Sequence, residues 1–404
     1  MQSLRELYRI GRGPSSSHTM GPERAANIMK ERYGRADRYI ATLYGSLAMT
    51  GKGHGTDAVI EQTLAPTACD VVFDTKTECT VHPNTMDIEA FAGGKSIGKH
   101  RFYSVGGGAI AIEGEPTSRP DSVYPHRTFD EIAEYCMANK LRLYEYVGQC
   151  EGKGIFDYLS VVWERMKQTV HEGLIVSGVL PGVLGTERRA QKLYNQRHID
   201  ESAQTRESRL VCSYAFAAGE QNAAGGTVVT APTCGACGVV PSVLKYMQDS
   251  RGFSDERVVR ALATGGLIGN LIKHNASISG AECGCQAEIG SACSMAAAAL
   301  AELFEMGLGQ IEYAAEVAME HHLGLTCDPI AGLVQIPCIE RNAVAAMRAI
   351  NALSLANFLA DSRKISFDII VKTMLNTGMD IQSCYRETSV GGLAKYYEIG
   401  KKRK

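Results

Sequence analysis

The chain has 404 residues, 45% hydrophobic and 21% charged, and 42 basic against 44 acidic residues give a formal net charge of −2. This length predicts two domains with a sizeable core. The near-neutral charge balance argues against a nucleic-acid surface, so we expect small-molecule partners. No apolar targeting segment precedes Arg5, Glu6 and Arg9, and the charge-free stretch 222–244 is too rich in glycine and proline for a membrane helix. We therefore expect a cytoplasmic protein without membrane contact.

The N-terminal part predicts a mixture of helices and strands. Helical spacing appears at residues 3–10, 20–33 and 57–64, and β-forming residues dominate 39–49. Short strands are predicted across 70–112, with a hairpin of 88–91 and 96–104 joined across Gly93 and Gly94. The proline-bearing stretch 116–125 reads as a linker.

Helical periodicity dominates the remainder of the chain. The longest candidate helices are 129–146, 155–173, 254–274, 293–306, 313–322, 342–360 and 367–376. These patterns predict an α+β protein with a small N-terminal mixed α/β domain, residues 1–125, followed by a larger all-helical catalytic domain, residues 126–404. No internal repeat is visible, and the basic tail 401–404 is expected to be a solvated end.

The chain contains thirteen cysteines, an odd and high number for a sequence without export signals. Reducing conditions keep such thiols free, which favours metal ligation or buried packing over disulfides. The densest cluster is 275–286, which holds Cys283 and Cys285, and Cys293 follows it. Residues alone leave open which of these three would bind a metal, and a tight junction of small residues with incidental thiols is the competing interpretation.

A second element places Cys327 and Cys338 with ten residues between them, each beside a proline-fixed turn. This spacing matches neither structural zinc knuckles nor ferredoxin runs, so an open site with three cysteine ligands fits better than a closed site with four. Cys234 and Cys237 form a C-x-x-C without a partner knuckle or a thioredoxin-like surrounding. We interpret that pair as small side chains in a tight turn.

Two N-terminal loops carry polar groups suited to binding and proton transfer. Residues 13–22 place hydroxyls and His18 just before a helix, where free backbone N–H groups favour anions, although a plain helix cap explains them equally. Residues 50–57 resemble a phosphate loop, but the glycine spacing is one residue too long and Gly53 replaces the required Ser or Thr. We exclude a phosphate loop, which makes His54 the notable residue of this segment.

Seven segments together resemble the iron–sulfur L-serine dehydratases over nearly the whole chain. They are 13–22 (GPSSSHTMGP), 44–57 (YGSLAMTGKGHGTD), 103–108 (YSVGGG), 222–241, 275–295, 327–342 and 385–393 (YRETSVGGL). The resemblance implies a β-type N-terminal domain, an α-type helical domain and no ACT regulatory domain. It also implies a [4Fe-4S] cluster, with cluster ligands Cys285, Cys327 and Cys338.

The resemblance further implies the reaction and its residues. One iron without a protein ligand would act as a Lewis acid on serine, and elimination of water would give pyruvate and ammonia without pyridoxal phosphate. His54 and His18 are the candidate bases, with His54 preferred because of its glycine-flanked loop. The expected substrate contacts are Ser15, Ser16, Ser17, Thr19, Asn275, Ser277 and Ser279.

Some alternatives remain open from the sequence. The same cluster could act on L-threonine or L-cysteine. The alternative to an enzyme is a non-catalytic iron–sulfur sensor. Where many relatives carry an asparagine after a threonine, this chain has Cys234, and no cysteine occurs in the final residues 385–404 to reach the cluster as in many single-chain relatives. We therefore expect an open iron at rest, packing roles for Cys384, and a homo-oligomer, with a dimer as the simplest assembly.

Overall fold

The computed structural model describes residues 1–115, 122–197 and 199–398. The predicted α+β class is confirmed, because strands concentrate before residue 115 and helices dominate thereafter. Most of the linker predicted at 116–125 and the tail at 401–404 lie outside the described residues.

The N-terminal region is a mixed sheet covered by three helices. Its elements are β1 (Ile10–Arg12), α1 (Gly21–Arg32), β2 (Arg38–Tyr44), α2 (Gly45–Thr50), α3 (Thr56–Leu64), β3 (Ala68–Asp74), β4 (Thr85–Ala92), β5 (Lys95–Ser104) and β6 (Ile110–Ile112). The five-stranded sheet has the order β3-β2-β4-β5-β6, in which only β2 and β3 are parallel. Alternate residues of β2, including Tyr39, Ala41 and Leu43, enter a core shared with α1 and α3. The hairpin across Gly93 and Gly94 forms as predicted.

In the described residues after 122, the remainder is dominated by helices and contains one short strand. In chain order it contains α4 (Phe129–Asn139), α5 (Leu143–Glu151), α6 (Gly154–Ile175), α7 (Ala190–Asn195), α8 (Ala203–Ala223), β7 (Thr227–Val229), α9 (Val239–Arg251), α10 (Asp255–Asn275), α11 (Gly280–Cys283), α12 (Ser291–Leu303), α13 (Leu308–Glu320), α14 (Cys338–Leu359), α15 (Phe367–Asp380) and α16 (Gly392–Tyr396). Helix α12 is buried along its whole length. Its alanines allow neighbouring helices to approach closely, and a Cβ on Gly265 of α10 would already lie 2.6 Å from the Met295 carbonyl.

The first eight residues belong to the helical core. Met1, Leu4, Leu7 and Tyr8 are buried among its side chains, and β1 pairs antiparallel with β7 of the helical region. The helix predicted at 3–10 is therefore wrong beyond one 3₁₀ turn, Leu4–Glu6, because pairing with β7 holds residues 10–12 extended. The N-terminal segment thus ties the two regions together before the sheet begins.

Two other predicted elements differ in their limits. The strand predicted at 39–49 ends at Tyr44, where Gly45 adopts φ +54° against the Pro83 carbonyl and α2 begins. The helix predicted at 129–146 is two helices, since Lys140 is left-handed at φ 55° and Glu145 caps a new start at Arg142.

One helical stretch, Cys338–Ser362, is long and apolar enough to cross a membrane by length and composition. It begins at Cys338, which lines the cavity described below. Of its most apolar 18-residue stretch, 39% is buried within the protein. Core helices of soluble proteins meet the same criterion.

Candidate active site

A buried cavity lies where the loops around α2 meet the helical region. Its wall includes Ser15 and His54 from the N-terminal region, together with the thiols of Cys285, Cys327 and Cys338. The two loops are in direct contact, because a Cβ on Gly53 would lie 2.5 Å from the Gly332 carbonyl oxygen. Glycine at position 53 therefore allows His54 to reach the loop between Cys327 and Cys338.

Each of the three thiols is positioned by a different kind of local structure. Cys285 follows Gly284, whose φ of +72° ends α11. Cys327 lies in an extended loop whose N–H donates to the Tyr385 carbonyl at 2.7 Å. Cys338 begins α14 directly after Pro337. Side chains 42 and 11 residues apart in sequence thereby reach one cavity.

The charges around the thiols favour one thiolate. Arg341, in the first turn of α14, donates to the Thr326 carbonyl at 2.6 Å and to Asp328 Oδ1 at 3.2 Å. A hydrogen bond from Cys327 is the main cause that lowers the pKa of Cys285 to about 6. Burial opposes this shift, and the nearby Arg341 charge adds to it. The same hydrogen bond raises the pKa of Cys327, and burial raises the pKa of Cys338. The surroundings of Cys285 thus favour a thiolate at this one position.

The donor set fits an iron–sulfur cluster. Cysteine thiolates are the usual cluster ligands, and the sulfurs of Cys285 and Cys327 lie within 4.8 Å of each other and of a Glu288 carboxylate oxygen. A Cβ on Gly280 would lie 3.2 Å from the Cys327 sulfur and 2.8 Å from Glu288 Oε2, so glycine keeps this wall open. The residues present could therefore hold such a group with three sulfur ligands, and Glu288 adds a carboxylate to the same wall of the cavity.

His18 is buried and both of its ring nitrogens are engaged. The Ser46 hydroxyl donates to the Glu387 carbonyl at 2.8 Å, so its oxygen can only accept from His18 Nε2, 3.1 Å away. Burial lowers the pKa of His18 well below its ordinary value, which makes the ring neutral and leaves Nδ1 without a proton. Nδ1 then accepts from the Ser17 hydroxyl at 2.9 Å. His18 therefore has no unoccupied lone pair to act as a base.

Whereas His18 carries its ring proton on Nε2, His54 carries it on Nδ1. Its Nδ1 lies 2.9 Å from the Thr50 carbonyl oxygen, which can only accept, so Nδ1 carries the proton. Burial lowers the pKa of His54 to about 4 and keeps the ring neutral near pH 7. Its Nε2 is therefore an unprotonated nitrogen at the cavity, and the ring stacks on His18 with centroids 4.4 Å apart.

Glu387 is one of two cavity carboxylates, with Glu288, that the sequence did not single out. Its carboxylate is buried, lines the cavity, and lies 3.6 Å from His18 Nδ1 and 3.8 Å from His54 Nε2. Burial and then the negative charge of Cys285 raise its pKa to about 8. Two histidines and a carboxylate can also bind a single metal ion, but both His18 nitrogens are already hydrogen-bonded.

The other predicted substrate contacts fall into two groups. Around His18, Ser15 accepts from the His18 backbone N–H, Ser16 is buried in the same turn, and Thr19 donates to the His54 carbonyl at 3.0 Å. Asn275 is exposed at the end of α10 and donates to the Arg127 carbonyl at 2.7 Å. It does not line the cavity.

Ser277 and Ser279 lie in the loop before α11. Ser277 donates to Glu282, whose second oxygen lies 3.3 Å from His82 Nε2 of the N-terminal region. The Ser279 hydroxyl is buried, and its oxygen has no hydrogen-bond partner among the described residues. Neither serine lines the cavity, so this loop connects the two regions beside the site.

The remaining cysteines of these motifs face away from the cavity. Cys283 packs against Gly378 of α15, and Cys293 donates to the Ala345 carbonyl at 3.2 Å. Cys234 contacts the Met20 sulfur at 3.4 Å, and Cys237 lies 3.7 Å from the Ala218 carbonyl oxygen. Both are buried, as expected for packing side chains, while Gly235 between them lines the cavity.

Comparison with known proteins finds similarity along the whole chain. The family model described as serine dehydratase alpha chain matches residues 95–394, and the model described as serine dehydratase beta chain matches residues 3–66 and 61–115. L-serine dehydratase 2 of Escherichia coli is 40% identical, with 98% of each chain covered. L-serine dehydratase of Haemophilus influenzae is 38% identical, covering 98% of this chain and 99% of the relative. L-serine dehydratase of Streptomyces coelicolor is 40% identical, covering 97% and 98% respectively.

Proposed function

Because this chain belongs to the serine dehydratase family, with its alpha-chain and beta-chain regions fused in one polypeptide, we propose that it eliminates water from L-serine. The products are pyruvate and ammonia. One observation carries the proposal: three cysteine thiols and an unprotonated histidine nitrogen line the same buried cavity. The thiols support a cluster, and the histidine nitrogen supplies a base.

The proposed cofactor is a [4Fe-4S] cluster on Cys285, Cys327 and Cys338. When bound, it would supply an iron without a protein ligand that acts as a Lewis acid toward the serine hydroxyl and carboxylate. Arg341 stabilises the thiolate charge from the first turn of α14. The three ligands come from two loops and a helix start, so assembly of the site requires the folded helical region.

His54 is the proposed general base for the Cα proton. Its Nδ1–H bond to the Thr50 carbonyl fixes the tautomer and directs Nε2 toward the cavity. His18 holds this arrangement by stacking on His54 and by linking Ser17 to Ser46. Loss of the Cα proton and of the hydroxyl gives 2-aminoacrylate, which tautomerises and takes up water to release ammonia and pyruvate.

The domain limits, 1–125 and 126–404, remain part of the proposal, with residues 1–8 packed in the helical core. We also propose a cytoplasmic homo-oligomer that acts on a free amino acid. The Ser15 hydroxyl is the proposed carboxylate contact, because Ser15 lines the cavity. Thr19 supports this loop by donating to the His54 carbonyl.

The test is anaerobic reconstitution with iron and sulfide, followed by pyruvate assays with L-serine and D-serine. L-Threonine and L-cysteine, assayed for their own elimination products, set the substrate preference. We expect L-serine to give the highest kcat/KM, no dependence on added pyridoxal phosphate, and loss of activity in air. A protein with full cluster absorbance that only cycles between redox states, without turnover of any amino acid, would favour the sensor function.

A further inference from the structure

Glu387 presents a carboxylate to the cavity, and neither histidine nitrogen that faces it donates a hydrogen bond to it. Glu387 Oε1, His54 Nε2 and His18 Nδ1 lie within 4.8 Å of one another. The bonds to Thr50 and Ser46 place the ring protons on the opposite edges, so neither nitrogen that faces Glu387 carries a proton. The separations of 3.6 and 3.8 Å are too long for hydrogen bonds.

A buried carboxylate that receives no hydrogen bond from the two rings beside it is complementary to a cation with N–H donors. We propose that Glu387 binds the ammonium group of the amino-acid substrate and thereby selects α-amino over unsubstituted hydroxy acids. This inference rests on the proposed function. A carboxylate and an ammonium group carry opposite charges, and their attraction is strongest where water is excluded.

The geometry also explains how the ammonium contact would orient the reaction. The substrate Cα is one bond, about 1.5 Å, from its nitrogen. His54 Nε2 lies 3.8 Å from the carboxylate oxygen. An ammonium held by Glu387 therefore brings Cα within reach of His54 Nε2, as proton removal requires.

The backbone holds Glu387 in this position from both sides. Its N–H donates to the Cys327 carbonyl at 2.8 Å, and its carbonyl accepts from Ser46 at 2.8 Å. Its φ of +54° is uncommon for a residue with a side chain. Ser389 fixes the same segment by donating to the Pro329 carbonyl at 2.6 Å. A sterically unfavourable conformation held by these bonds is typical of functional positions.

The experiment compares L-serine with 3-hydroxypropionate, which is serine without its amino group. The reconstituted wild type, Glu387→Gln and Glu387→Asp are assayed for the KM of L-serine and for inhibition by 3-hydroxypropionate. Glu134→Gln, on the exposed surface of α4, is the matched control. Glu387→Gln should raise KM by about 10–100-fold, the usual effect of losing a charged hydrogen bond. Inhibition by 3-hydroxypropionate should stay within about threefold.

If Glu387→Gln weakens the binding of L-serine and of 3-hydroxypropionate to the same extent, the role of Glu387 is structural and the inference is overturned. An unchanged KM for L-serine would also overturn it. If Glu387→Gln lacks cluster absorbance, Glu387→Asp carries the test, with KM raised severalfold and inhibition unchanged. A wild type with full cluster absorbance that makes no pyruvate refutes the proposed function alone. Calorimetric titration of the same two ligands then tests the ammonium contact, and failure of L-serine to bind overturns that as well.

Discussion

Replacing His54 by asparagine separates its chemical role from its structural one. The Asn amide N–H can still donate to the Thr50 carbonyl, which His54 Nδ1 now holds at 2.9 Å. The unprotonated Nε2 at the cavity is lost, and the asparagine side chain has no basic nitrogen to replace it. We therefore expect the fold and the cluster absorbance of His54→Asn to remain those of the wild type.

The expected kinetic loss follows from the role of a general base. Removing such a group lowers kcat and kcat/KM together by about 10²–10⁴, or roughly 3–5 kcal/mol of transition-state stabilisation. Because the Cα–H step becomes slower, the isotope effect with L-serine deuterated at Cα should increase. Steady-state pyruvate assays under anaerobic conditions measure both quantities.

His18→Asn is the matched control, since its ring stacks on His54 but has both nitrogens hydrogen-bonded. We expect a smaller fall in kcat than for His54→Asn and no increase in the isotope effect. A His54→Asn enzyme with near-normal kcat would refute the assignment. A larger isotope effect in His18→Asn would transfer the role of the base to His18.

Three further predictions concern the ligands, the pH response and the tail. Alanine at Cys285, Cys327 or Cys338 should abolish the brown absorbance and turnover. Cys283→Ala alters a side chain packed on α15 and should retain both. Because burial lowers the folded-state pKa of His54 to about 4, the unfolded chain takes up its proton first as pH falls. Between pH 7 and 5 the wild type should therefore lose about 2 kcal/mol of stability relative to His54→Asn, and an unchanged difference in thermal midpoint would contradict this. Cys384 is half-buried beside Gln382 and outside the cavity, so Cys384→Ser should leave activation lag and cluster lifetime unchanged; a large change in either would show that this thiol guards the fourth iron.

Periodicity predicted most helices of the C-terminal region because their apolar faces repeat along the sequence. Helix α10, predicted at 254–274, forms at Asp255–Asn275. The signal failed where long-range contacts decide the conformation. Residues 10–12 are extended because β7, more than 200 residues away in sequence, pairs with them. Helix α8 was not predicted because its second half is buried on almost every side, which weakens the amphipathic pattern. Helix α9 was not predicted because its first turns lie in the stretch 222–244, which is rich in glycine and proline.

The site was predictable where motif residues carry distinctive chemistry. Cys285, Cys327 and Cys338 line one cavity with His54, as expected for residues named from the resemblance. Glu288 and Glu387 were missed because a glutamate has no distinctive spacing until folding brings it to the cavity. The signal that could have found Glu387 is its place in the YRETSVGGL segment, because a carboxylate inside a family motif is a candidate site residue.

The most direct test of the account is Mössbauer spectroscopy of protein reconstituted with ⁵⁷Fe, recorded with and without L-serine. Three cysteine ligands and one open iron predict that about one quarter of the iron absorption changes its isomer shift on addition of L-serine. The remaining three quarters should stay unchanged, and pyruvate should appear in the same sample. Four equivalent irons that do not respond to L-serine would contradict the open-iron mechanism.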